Sequence, residues 1–511
     1  MAELVYAYDS ESYPVRGEGS SPSVPTMSYQ EFFKGKKVTI LGLGLLGRAL
    51  KDTIFLAECG ADLIVTDLKP SSALKTSLQK LKKFKNIKYV LGKHRLQDFR
   101  GRDFILKAGG VHLDSPFIAE AVKNKIPIEM DASLFLKLAP SVTLIGITGT
   151  RGKTTTTMLI YEILRAGLPS ISKEGTGGVV GVKGSPQVFL AGNIKDIATL
   201  PLLREVKKGD YIVAELDSWQ LQGFHDAKLS PQVAVFTTFL DDHLIYYKGD
   251  TDRYFEDKVA IFKYQKSGDV LIAGERVAEN IGKSEIPVNG DFVIAKKEDV
   301  PSGWKIPLPG EHNLENIACA IAVARHFKIP ETAIKKTVER FGGVEGRLQY
   351  VRTVKGVKIY NDNNSTTPDA TIAGFRAISS SAPLQRGSAE SSRRRGANII
   401  LIIGGTDKGL DMSKLVAEIP KHCKAAILLK ESGTEKLKRI MNHESRLNDS
   451  VGQVGIAIEE KETLKECIEE AMKMAQKGDI ILFSPAFASF GKWFKNEYDR
   501  GEQFVELVES L

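Results

Sequence analysis

The sequence predicts an α/β protein with three domains: a Rossmann-like N-terminal domain, a central doubly wound sheet of the P-loop ATPase type, and a Rossmann-like C-terminal domain. A chain of 511 residues is too long for one hydrophobic core. Short apolar strand patterns alternate with helix patterns along most of the chain, which favours parallel sheets covered on both faces. We expect the domains at residues 31–140, 141–345 and 346–511, after a flexible tail rich in Ser, Pro and Gly at residues 1–30.

The composition is that of an ordinary globular protein, with 42% hydrophobic and 26% charged residues. The net charge of +8 invites a nucleic-acid partner, but four arginines against one glutamate lie at 379–396, which we expect to be a disordered insertion in the third domain. Four separated cysteines without a CxxC pair are typical of reduced thiols. No apolar run approaches the roughly 20 residues that span a bilayer, and the N-terminus lacks a signal-peptide pattern. We expect a cytoplasmic monomer that binds no nucleic acid and inserts into no membrane.

The first domain opens with the strand "KKVTILGLG", which runs into Gly42, Gly44 and Gly47 in a G-x-G-x-x-G pattern before a helix from about Leu45 to Cys59. Asp67 ends the next strand, "DLIVTDL". Such a turn allows close backbone approach, and a helix N-terminus offers free N–H groups to a diphosphate. Read literally, the motif indicates a dinucleotide such as NAD. Any nucleoside diphosphate satisfies the same chemistry, and a tight turn without a ligand also remains possible.

The second domain carries "IGITGTRGKTTTT", between the strand "VTLIGITG" and a helix. Gly149 and Gly152 let backbone amides turn toward a phosphate, Lys153 can reach the β- and γ-phosphates, and the Thr154 hydroxyl can hold Mg²⁺. The usual pattern G-x-x-x-x-G-K-[ST] has glycine where this chain has Ile147. In this strand–loop–helix setting the segment still predicts an ATP site.

Three side chains downstream support a metal-assisted reaction. Glu215 ends the buried strand "DYIVAELD", and His243 follows another strand in "FLDDHL". Parallel strands of a doubly wound sheet place their carboxyl ends beside the phosphate loop, where a carboxylate and an imidazole complete a Mg²⁺ site with Thr154. Lys258 lies fifteen residues beyond His243, at the start of a predicted helix, and by itself reads as a solvent-facing lysine.

Taken in order, these segments resemble the Mur ligases over roughly residues 36–510. The resemblance rests on the following motifs: "ITGTRGKTTTT", "AGNI", "AELDSWQL", "DDH" with a lysine fifteen residues later, "GEHNLENIACA", "GGVEGRL", "YNDNNSTTPDAT", "IIGGTDKG" and "SPAFASF" with "FKNEYDRGEQF". The C-terminal motifs are most similar to the member that adds D-glutamate. The resemblance implies an ATP-dependent amide ligase, with UDP-N-acetylmuramoyl-L-alanine instead of NAD in the first domain and D-glutamate in the third.

The resemblance also implies roles for individual residues. For ATP these are Gly149, Thr150, Arg151, Gly152, Lys153, Thr154, Thr155, Asn313, Asn316, Arg347 and Asp362. For the UDP-linked substrate they are Gly42, Gly44, Leu45, Leu46, Gly47, Asp67 and Asn193. For D-glutamate they are Thr366, Lys408, Ser489 and Tyr498. Two Mg²⁺ ions are held by Thr154, Glu215, His243 and Lys258, with Lys258 carbamylated by CO₂ so that a neutral amine becomes an anionic ligand. The residues implied in catalysis are Lys153, His243, Lys258 and Arg347.

Several alternatives stay open from the sequence. The chain has Asn363 and Asn364 where the family usually has Ser-Lys, so one positive charge near the nucleotide is missing. A sister ligase for another amino acid, or an archaeal cell-wall or polyglutamate ligase of the same superfamily, shares most of the motifs. From other classes, an NAD-dependent oxidoreductase explains the first glycine turn but not the ATP loop, and a non-catalytic nucleotide-binding regulator is compatible with Asn364.

Overall fold

The computed structural model describes residues 28–511 apart from 45–46, 140, 169–185, 196, 241–245, 382–397, 448–455, 490 and 492. Three separate β-sheets follow one another along the chain, each with interleaved helices. This is the α/β architecture that the sequence predicts. None of the helices among these residues is long and apolar enough to cross a membrane.

The first sheet has five parallel strands in the order β3-β2-β1-β4-β5. Its strands are β1 (Lys37–Leu41), β2 (Asp62–Asp67), β3 (Ile87–Leu91), β4 (Phe104–Lys107) and β5 (Ile128–Glu129). Its helices are α1 (Tyr29–Phe33), α2 (Arg48–Glu58), α3 (Lys75–Leu81), α4 (Pro116–Lys123) and α5 (Asp131–Leu138). Ser28 caps α1 through a capping box with Glu31, so residues 28–30 of the predicted tail begin this folded unit.

The second sheet has six parallel strands in the order β11-β10-β9-β6-β8-β7. Its strands are β6 (Thr143–Thr148), β7 (Val188–Gly192), β8 (Tyr211–Glu215), β9 (Val233–Phe236), β10 (Val270–Gly274) and β11 (Asp291–Ala295). Its helices are α6 (Lys153–Gly167), α7 (Ser218–Asp226), α8 (Thr251–Val259), α9 (Glu275–Lys283), α10 (Glu311–His326) and α11 (Glu331–Val338). Because β6 is flanked by β8 and β9, the carboxyl ends of these three strands meet at one edge, which is where such sheets bind ligands.

The third sheet has the order β12-β13-β17-β14-β15-β16. Its strands are β12 (Gln349–Val354), β13 (Val357–Asn361), β14 (Ile399–Ile403), β15 (Cys423–Leu429), β16 (Ala457–Lys461) and β17 (Ile480–Phe483). Its helices are α12 (Pro368–Ser381), α13 (Ser413–His422), α14 (Ser432–Leu447), α15 (Leu464–Met474) and α16 (Glu497–Glu509). The pairing is parallel except for β12, which runs antiparallel to β13. This differs from the all-parallel prediction, because the two-residue turn Lys355–Gly356 has positive φ at both positions and forms a tight hairpin.

Two predicted boundaries near the third sheet and the metal site need correction. Helix α12 continues to Ser381, so the first three residues of the predicted insertion at 379–396 are helical, and 382–396 lie outside the described residues. Lys258 is next to the last residue of α8 and does not start that helix. The helix begins earlier because the side chain of Asp250 accepts a hydrogen bond from the Arg253 amide and caps it.

Candidate active site

The phosphate loop connects the last residue of β6 to the first residue of α6. Gly152 caps α6 in the left-handed conformation, with φ of 83°. A Cβ at Gly149, where φ is 148°, would lie 2.1 Å from the Thr237 hydroxyl. Glycine is therefore required at Gly149 for close approach to the end of β9, and at Gly152 for the turn into the helix. The glycine that the usual motif places at position 147 has no such task, because Ile147 is a buried β6 residue paired with β8 and β9.

Two threonines after β9 hold this loop in place. The hydroxyls of Thr237 and Thr238 donate to the Arg151 carbonyl at 2.5 and 3.1 Å, and the Arg151 amide donates to the Thr238 hydroxyl at 2.8 Å. The Thr150 amide donates to the Thr238 carbonyl at 2.8 Å. These bonds fix the loop against the neighbouring strand, which preorganises the backbone for a ligand.

The Lys153 ammonium lies inside the loop. It donates to the carbonyls of Gly149 at 2.8 Å and Thr150 at 3.3 Å. Burial lowers the pKa of Lys153, the negative charge of Glu215 raises it, and the positive charges of Arg347 and Arg151 lower it further. Lys153 thus interacts with three charged side chains, those of Glu215, Arg347 and Arg151. These residues come from three separate motifs: "ITGTRGKTTTT", "AELDSWQL" and "GGVEGRL".

Asn316 of α10 closes the loop from the other side. It is buried, its amide nitrogen donates to the Asn313 side chain at 3.1 Å, and the Asn313 amide nitrogen donates to the Pro309 carbonyl at 2.7 Å. A Cβ at Gly152 would lie 2.1 Å from Asn316 Oδ1. Asn316 therefore lies against the phosphate loop, and Asn313 is hydrogen-bonded to it from the same helix.

We predict that Gly152→Ala abolishes nucleotide binding and lowers stability by about 2 kcal/mol or more, since it combines left-handed strain with a clash. Isothermal titration with ADP and a thermal melt measure the two effects. Gly209→Ala is the matched control: its φ is 92° and nothing lies within 4 Å of the added Cβ, so it carries the strain without the clash. Equal behaviour of the two variants would contradict the prediction.

Glu215 supplies a buried carboxylate beside the loop. It is the last residue of β8 and only 3% exposed. Its Oε1 accepts from the Asn193 side chain at 3.4 Å, whereas Oε2 has no hydrogen-bond partner among the described residues. A buried carboxylate oxygen without a donor is costly unless a cation compensates it. This oxygen therefore fits the predicted Mg²⁺.

The other predicted metal ligands are partly visible. The Thr154 hydroxyl accepts from Arg347 Nη2 at 2.9 Å, so the arginine that precedes β12 reaches the start of α6. His243 lies outside the described residues. No group of three His, Cys, Asp or Glu side chains that could hold a metal occurs among the residues that the structure describes. The predicted set differs from such a group because it uses a hydroxyl, a modified lysine and His243.

Lys258 is not the solvent-facing lysine of the ordinary interpretation. It is 1% exposed, and its Nζ lies 3.2 Å from the Gly149 carbonyl and 3.5 Å from the Thr148 hydroxyl. The Nζ also lies 4.8 Å from the centre of the Tyr254 ring. The side chain thus runs from α8 under the phosphate loop and ends beside the carboxyl end of β6.

The glycine turn of the first sheet is held by Asp67. One carboxylate oxygen accepts from the amides of Leu43 at 2.9 Å and Gly44 at 3.0 Å, and the other accepts from the Lys69 amide at 2.8 Å. Gly42, Gly44 and Gly47 all have positive φ, as the motif predicts. Leu45 and Leu46 lie outside the described residues. Asp67 therefore shapes the turn itself, which the sequence did not indicate.

Asp362 directly follows β13 and lies in a buried polar cluster. Its carboxylate accepts from the Leu348 amide at 3.0 Å and from the hydroxyls of Ser365 at 2.5 Å and Ser484 at 2.9 Å. Burial raises its pKa to about 6, against the lowering effect of these hydrogen bonds and of Arg347. The carboxylate thus fixes the residue that follows Arg347.

We predict that ionisation of the Asp362 carboxyl lowers the free energy of unfolding of the protein. A pKa of about 6 against an ordinary value of 3.8 means that its stabilising contribution is present below pH ~4 and is lost as the pH rises through about 6. The loss is about 3 kcal/mol at ~1.4 kcal/mol per pKa unit. The Tm of Asp362→Asn minus that of wild type should therefore rise between pH 4 and 7, while the difference for the exposed Asp369→Asn stays constant. If the Tm difference between Asp362→Asn and wild type did not change with pH, the prediction would be contradicted.

The residues predicted for the amino acid form a second group. Lys408 Nζ donates to the Thr366 hydroxyl at 3.0 Å. Ser489 is buried, and the backbone of its neighbour Ala488 pairs with Thr406 in an isolated bridge, which brings the segments of Ser489 and Lys408 together. The Tyr498 ring centre lies 5.2 Å from Lys195 Nζ. The pKa of Tyr498 is raised to about 12, chiefly by burial and also by the negative charges of Glu497 and Glu215.

Arg500 is a positioning residue that sequence reasoning missed. It is completely buried, and its Nε donates to the Asn363 side chain at 2.6 Å and its Nη2 to the Asn363 carbonyl at 3.0 Å. Its Nη1 donates to the carbonyls of Phe487 and Ala488, both at 3.3 Å. One guanidinium thereby connects the segment before Thr366 to the segment before Ser489. The Arg in "YDRGEQF" was visible, but nothing local to it indicates these partners.

Comparison with known proteins identifies the relatives of this chain. The Mur ligase middle domain matches residues 147–324, and the Mur ligase glutamate ligase domain matches residues 346–487. UDP-N-acetylmuramoylalanine--D-glutamate ligase of Roseiflexus sp. (strain RS-1) is 33% identical, over 93% of this chain and 99% of its own length. The protein of the same name from Borreliella afzelii (strain PKo) is 32% identical, over 94% and 98%.

Solved structures agree on the fold. A UDP-N-acetylmuramate-alanine ligase from Thermotoga maritima has a TM-score of 0.55 at 18% identity, covering 93% of this chain and 99% of its own. A MurF ligase from the same organism, in complex with ADP, has a TM-score of 0.54 at 15% identity, covering 94% and 96%. With relatives above 30% identity along nearly its whole length and the same three-sheet fold, this chain belongs to the Mur ligase family.

Proposed function

We propose that the protein is an ATP-dependent ligase that joins D-glutamate to UDP-N-acetylmuramoyl-L-alanine in the synthesis of peptidoglycan precursors. One observation carries this proposal. Thr366 and Thr367 are consecutive residues: the Thr366 hydroxyl accepts from Lys408, and the Thr367 hydroxyl accepts from Arg151 of the phosphate loop. A lysine suited to an amino-acid carboxylate is thus tied to the phosphate loop through two adjacent side chains. The names of the curated relatives support the same substrates.

The three sheets divide the work in this proposal. The domain of residues 31–140 holds the UDP end at the Gly42–Gly47 turn, residues 141–345 hold ATP, and residues 346–511 hold D-glutamate. The third sheet reaches the second through Arg347 and Thr154, through Thr367 and Arg151, and through an ion pair between Glu502 and Lys195. These contacts support a closed arrangement of the two sheets during the reaction, which would keep water from a hydrolysis-prone intermediate.

The reaction has two displacement steps. A carboxylate oxygen of UDP-N-acetylmuramoyl-L-alanine attacks the γ-phosphorus of ATP, the bond to the β-phosphate oxygen breaks, and ADP leaves. The amine of D-glutamate then attacks the acyl carbon, the carbon–oxygen bond to phosphate breaks, and the amine loses a proton as phosphate departs. In this proposal Lys153 and Arg347 offset charge on the phosphoryl group, and Lys408 orients the amino acid.

Thr154, Glu215, His243 and a carbamylated Lys258 would hold two Mg²⁺ ions. When bound, these ions neutralise negative charge on the phosphates and on the transferring group. Carbamylation needs a neutral amine. The position of Lys258 supports the modification, because its buried Nζ ends beside the carboxyl end of β6, next to the strand that ends at Glu215. We further propose a cytoplasmic monomer, and the four buried, unpaired cysteines support a reducing compartment.

Phosphate release from purified protein tests the function. We expect release to require ATP, UDP-N-acetylmuramoyl-L-alanine and D-glutamate together, and L-glutamate, L-lysine and meso-diaminopimelate to replace D-glutamate poorly. Turnover with another amino acid alone would assign the protein to a sister ligase. Nucleotide binding without turnover would assign it to a regulator. The third-domain variant Lys408→Ala should raise the KM for D-glutamate and leave that for ATP unchanged.

We predict that Arg500→Lys raises the KM for D-glutamate at least about tenfold, because lysine cannot bridge Asn363 and the Phe487–Ala488 carbonyls with one rigid fork. Steady-state kinetics separate this effect from a general loss of active protein. Such a loss lowers kcat and leaves the KM values for D-glutamate and for ATP unchanged. The matched control is Arg352→Lys, at a half-buried arginine whose side chain donates to the Glu509 carbonyl and to no other acceptor among the described residues. A change confined to kcat would contradict the positioning role.

A further inference from the structure

The positive charge of this protein is concentrated at one edge of the first sheet. Residues 69–100 contain ten Lys and Arg and one acidic residue, Asp98, a net charge of +9 against +8 for the whole chain. The remainder of the chain is therefore close to neutral. The Arg-rich stretch 379–396, to which the excess was first attributed, contributes less.

All ten basic side chains are exposed, and we call them the basic edge. They are Lys69, Lys75, Lys80, Lys82, Lys83, Lys85, Lys88, Lys93, Arg95 and Arg100. The single acidic residue, Asp98, is buried and accepts two hydrogen bonds from Arg95, so it is already paired. Arg100 pairs with Glu120, and Lys83 lies 3.7 Å from Glu58. The seven other lysines have no ion-pair partner within the described part of the chain.

The fold brings these charges onto a surface that no strand covers. They lie between β2 and α3, on α3, on β3 and on the segments that join β3 to α3 and to β4, and β3 is the outer strand of its sheet. Three apolar side chains are exposed among them: Leu68 at 66%, Tyr89 at 39% and Leu96 at 43%. Cations with interspersed aliphatic and aromatic side chains are the pattern of a surface that rests on lipid headgroups.

We propose that the basic edge docks the protein peripherally on an anionic lipid bilayer, without insertion of any segment. Two features favour a bilayer over a nucleic acid. Eight of the ten cations are lysines, whose compact charge suits a diffuse array of headgroups, whereas defined phosphates are usually held by the arginine fork. A groove that binds a nucleic-acid backbone does not use exposed leucines. At a bilayer, burial of the same leucines at the headgroup boundary is favourable.

Vesicle cosedimentation of the full chain tests this proposal. We expect binding to vesicles of phosphatidylglycerol and phosphatidylcholine, none to phosphatidylcholine alone, and release as salt rises from 50 to 500 mM. Lys80, Lys82, Lys85 and Lys88 all changed to Gln should lower the partition coefficient at least about 100-fold. These four lie away from the Asp67 turn, so ATP-dependent activity in solution is expected to stay unchanged.

A charge-matched control removes the same number of lysines from the second domain: Lys207, Lys208, Lys335 and Lys336, all exposed, changed to Gln. Full vesicle binding by this control supports the proposal. Equal loss in both variants, or no binding to anionic vesicles by wild type, overturns it. Tighter binding to a duplex or single-stranded oligonucleotide than to vesicles at equal phosphate and salt also overturns it, in favour of a nucleic-acid surface.

Discussion

Glu215→Gln is expected to lower kcat for D-glutamate-dependent phosphate release by at least about 1000-fold. The carboxylate is 3% exposed and its Oε2 has no hydrogen-bond partner among the described residues. Glutamine has nearly the same shape and keeps an oxygen for the Asn193 amide, but it places an uncharged NH₂ donor where a cation needs an acceptor. Loss of a direct metal ligand costs several kcal/mol of transition-state stabilisation, and each ~1.4 kcal/mol is tenfold in rate.

Stability distinguishes a metal role from a structural role. In chelator-treated protein, Glu215→Gln should melt at the same temperature as wild type or above it, because it removes an uncompensated buried charge. Added MgATP should raise the Tm of wild type and raise that of the variant much less. Glu205→Gln makes the same chemical change at an exposed position and should behave as wild type. Activity within tenfold of wild type in Glu215→Gln would refute the ligand assignment.

Lys258→Ala is expected to lose about 1000-fold in kcat and to recover part of it with a short carboxylic acid. If the lysine is carbamylated, alanine removes an anionic ligand and leaves a cavity next to the phosphate loop. Formate or acetate at tens of millimolar can supply the missing oxygens within that cavity, since the Nζ of the native residue ends 3.2 Å from the Gly149 carbonyl. The measurement is phosphate release as a function of added acid.

An amine provides the opposing test. If Lys258 acts as an ammonium group, methylamine rescues the variant and acetate does not. Lys266→Ala, at an exposed lysine of the same segment, should retain full activity and respond to neither additive. Independently of activity, wild type equilibrated with ¹³C-bicarbonate should show a carbamate carbon resonance that is missing in Lys258→Ala. Unchanged activity in Lys258→Ala, or rescue by methylamine alone, would exclude the carbamate.

The strands with the strongest signal in the sequence are those buried on both faces. All five residues of β10 and of β14 are buried, and each segment is a continuous apolar run. The strands that it missed are β7, β11 and β16, which all lie at sheet edges. Four residues of β11 and three of β16 are exposed. The segment of β16, AIEEK, lacks the apolar signal of a buried strand, whereas β7 (VFLAG) and β11 (DFVIA) are short apolar segments that the pattern alone did not distinguish as strands.

The parts of the site that depend on local chemistry were predictable. Rules that act over a few residues predict the left-handed Gly152 at the start of α6, Glu215 at the end of β8 and the glycine turn after β1. Family membership is confirmed by the relatives and the matching domains. The roles assigned to individual residues stay predictions, and those at Leu45, Leu46 and His243 concern residues that the structure does not describe.

The sequence by itself determined three α/β units, the glycine loop before α6 and the ligase family, because glycine conformations, strand ends and apolar runs depend on short segments. Only the tertiary structure decided that Lys258 is buried under the phosphate loop, that Thr366 and Thr367 connect Lys408 to Arg151, and that Arg500 joins two distant segments. These contacts span tens to hundreds of residues. They arise from how the sheets pack, so no short stretch of sequence encodes them.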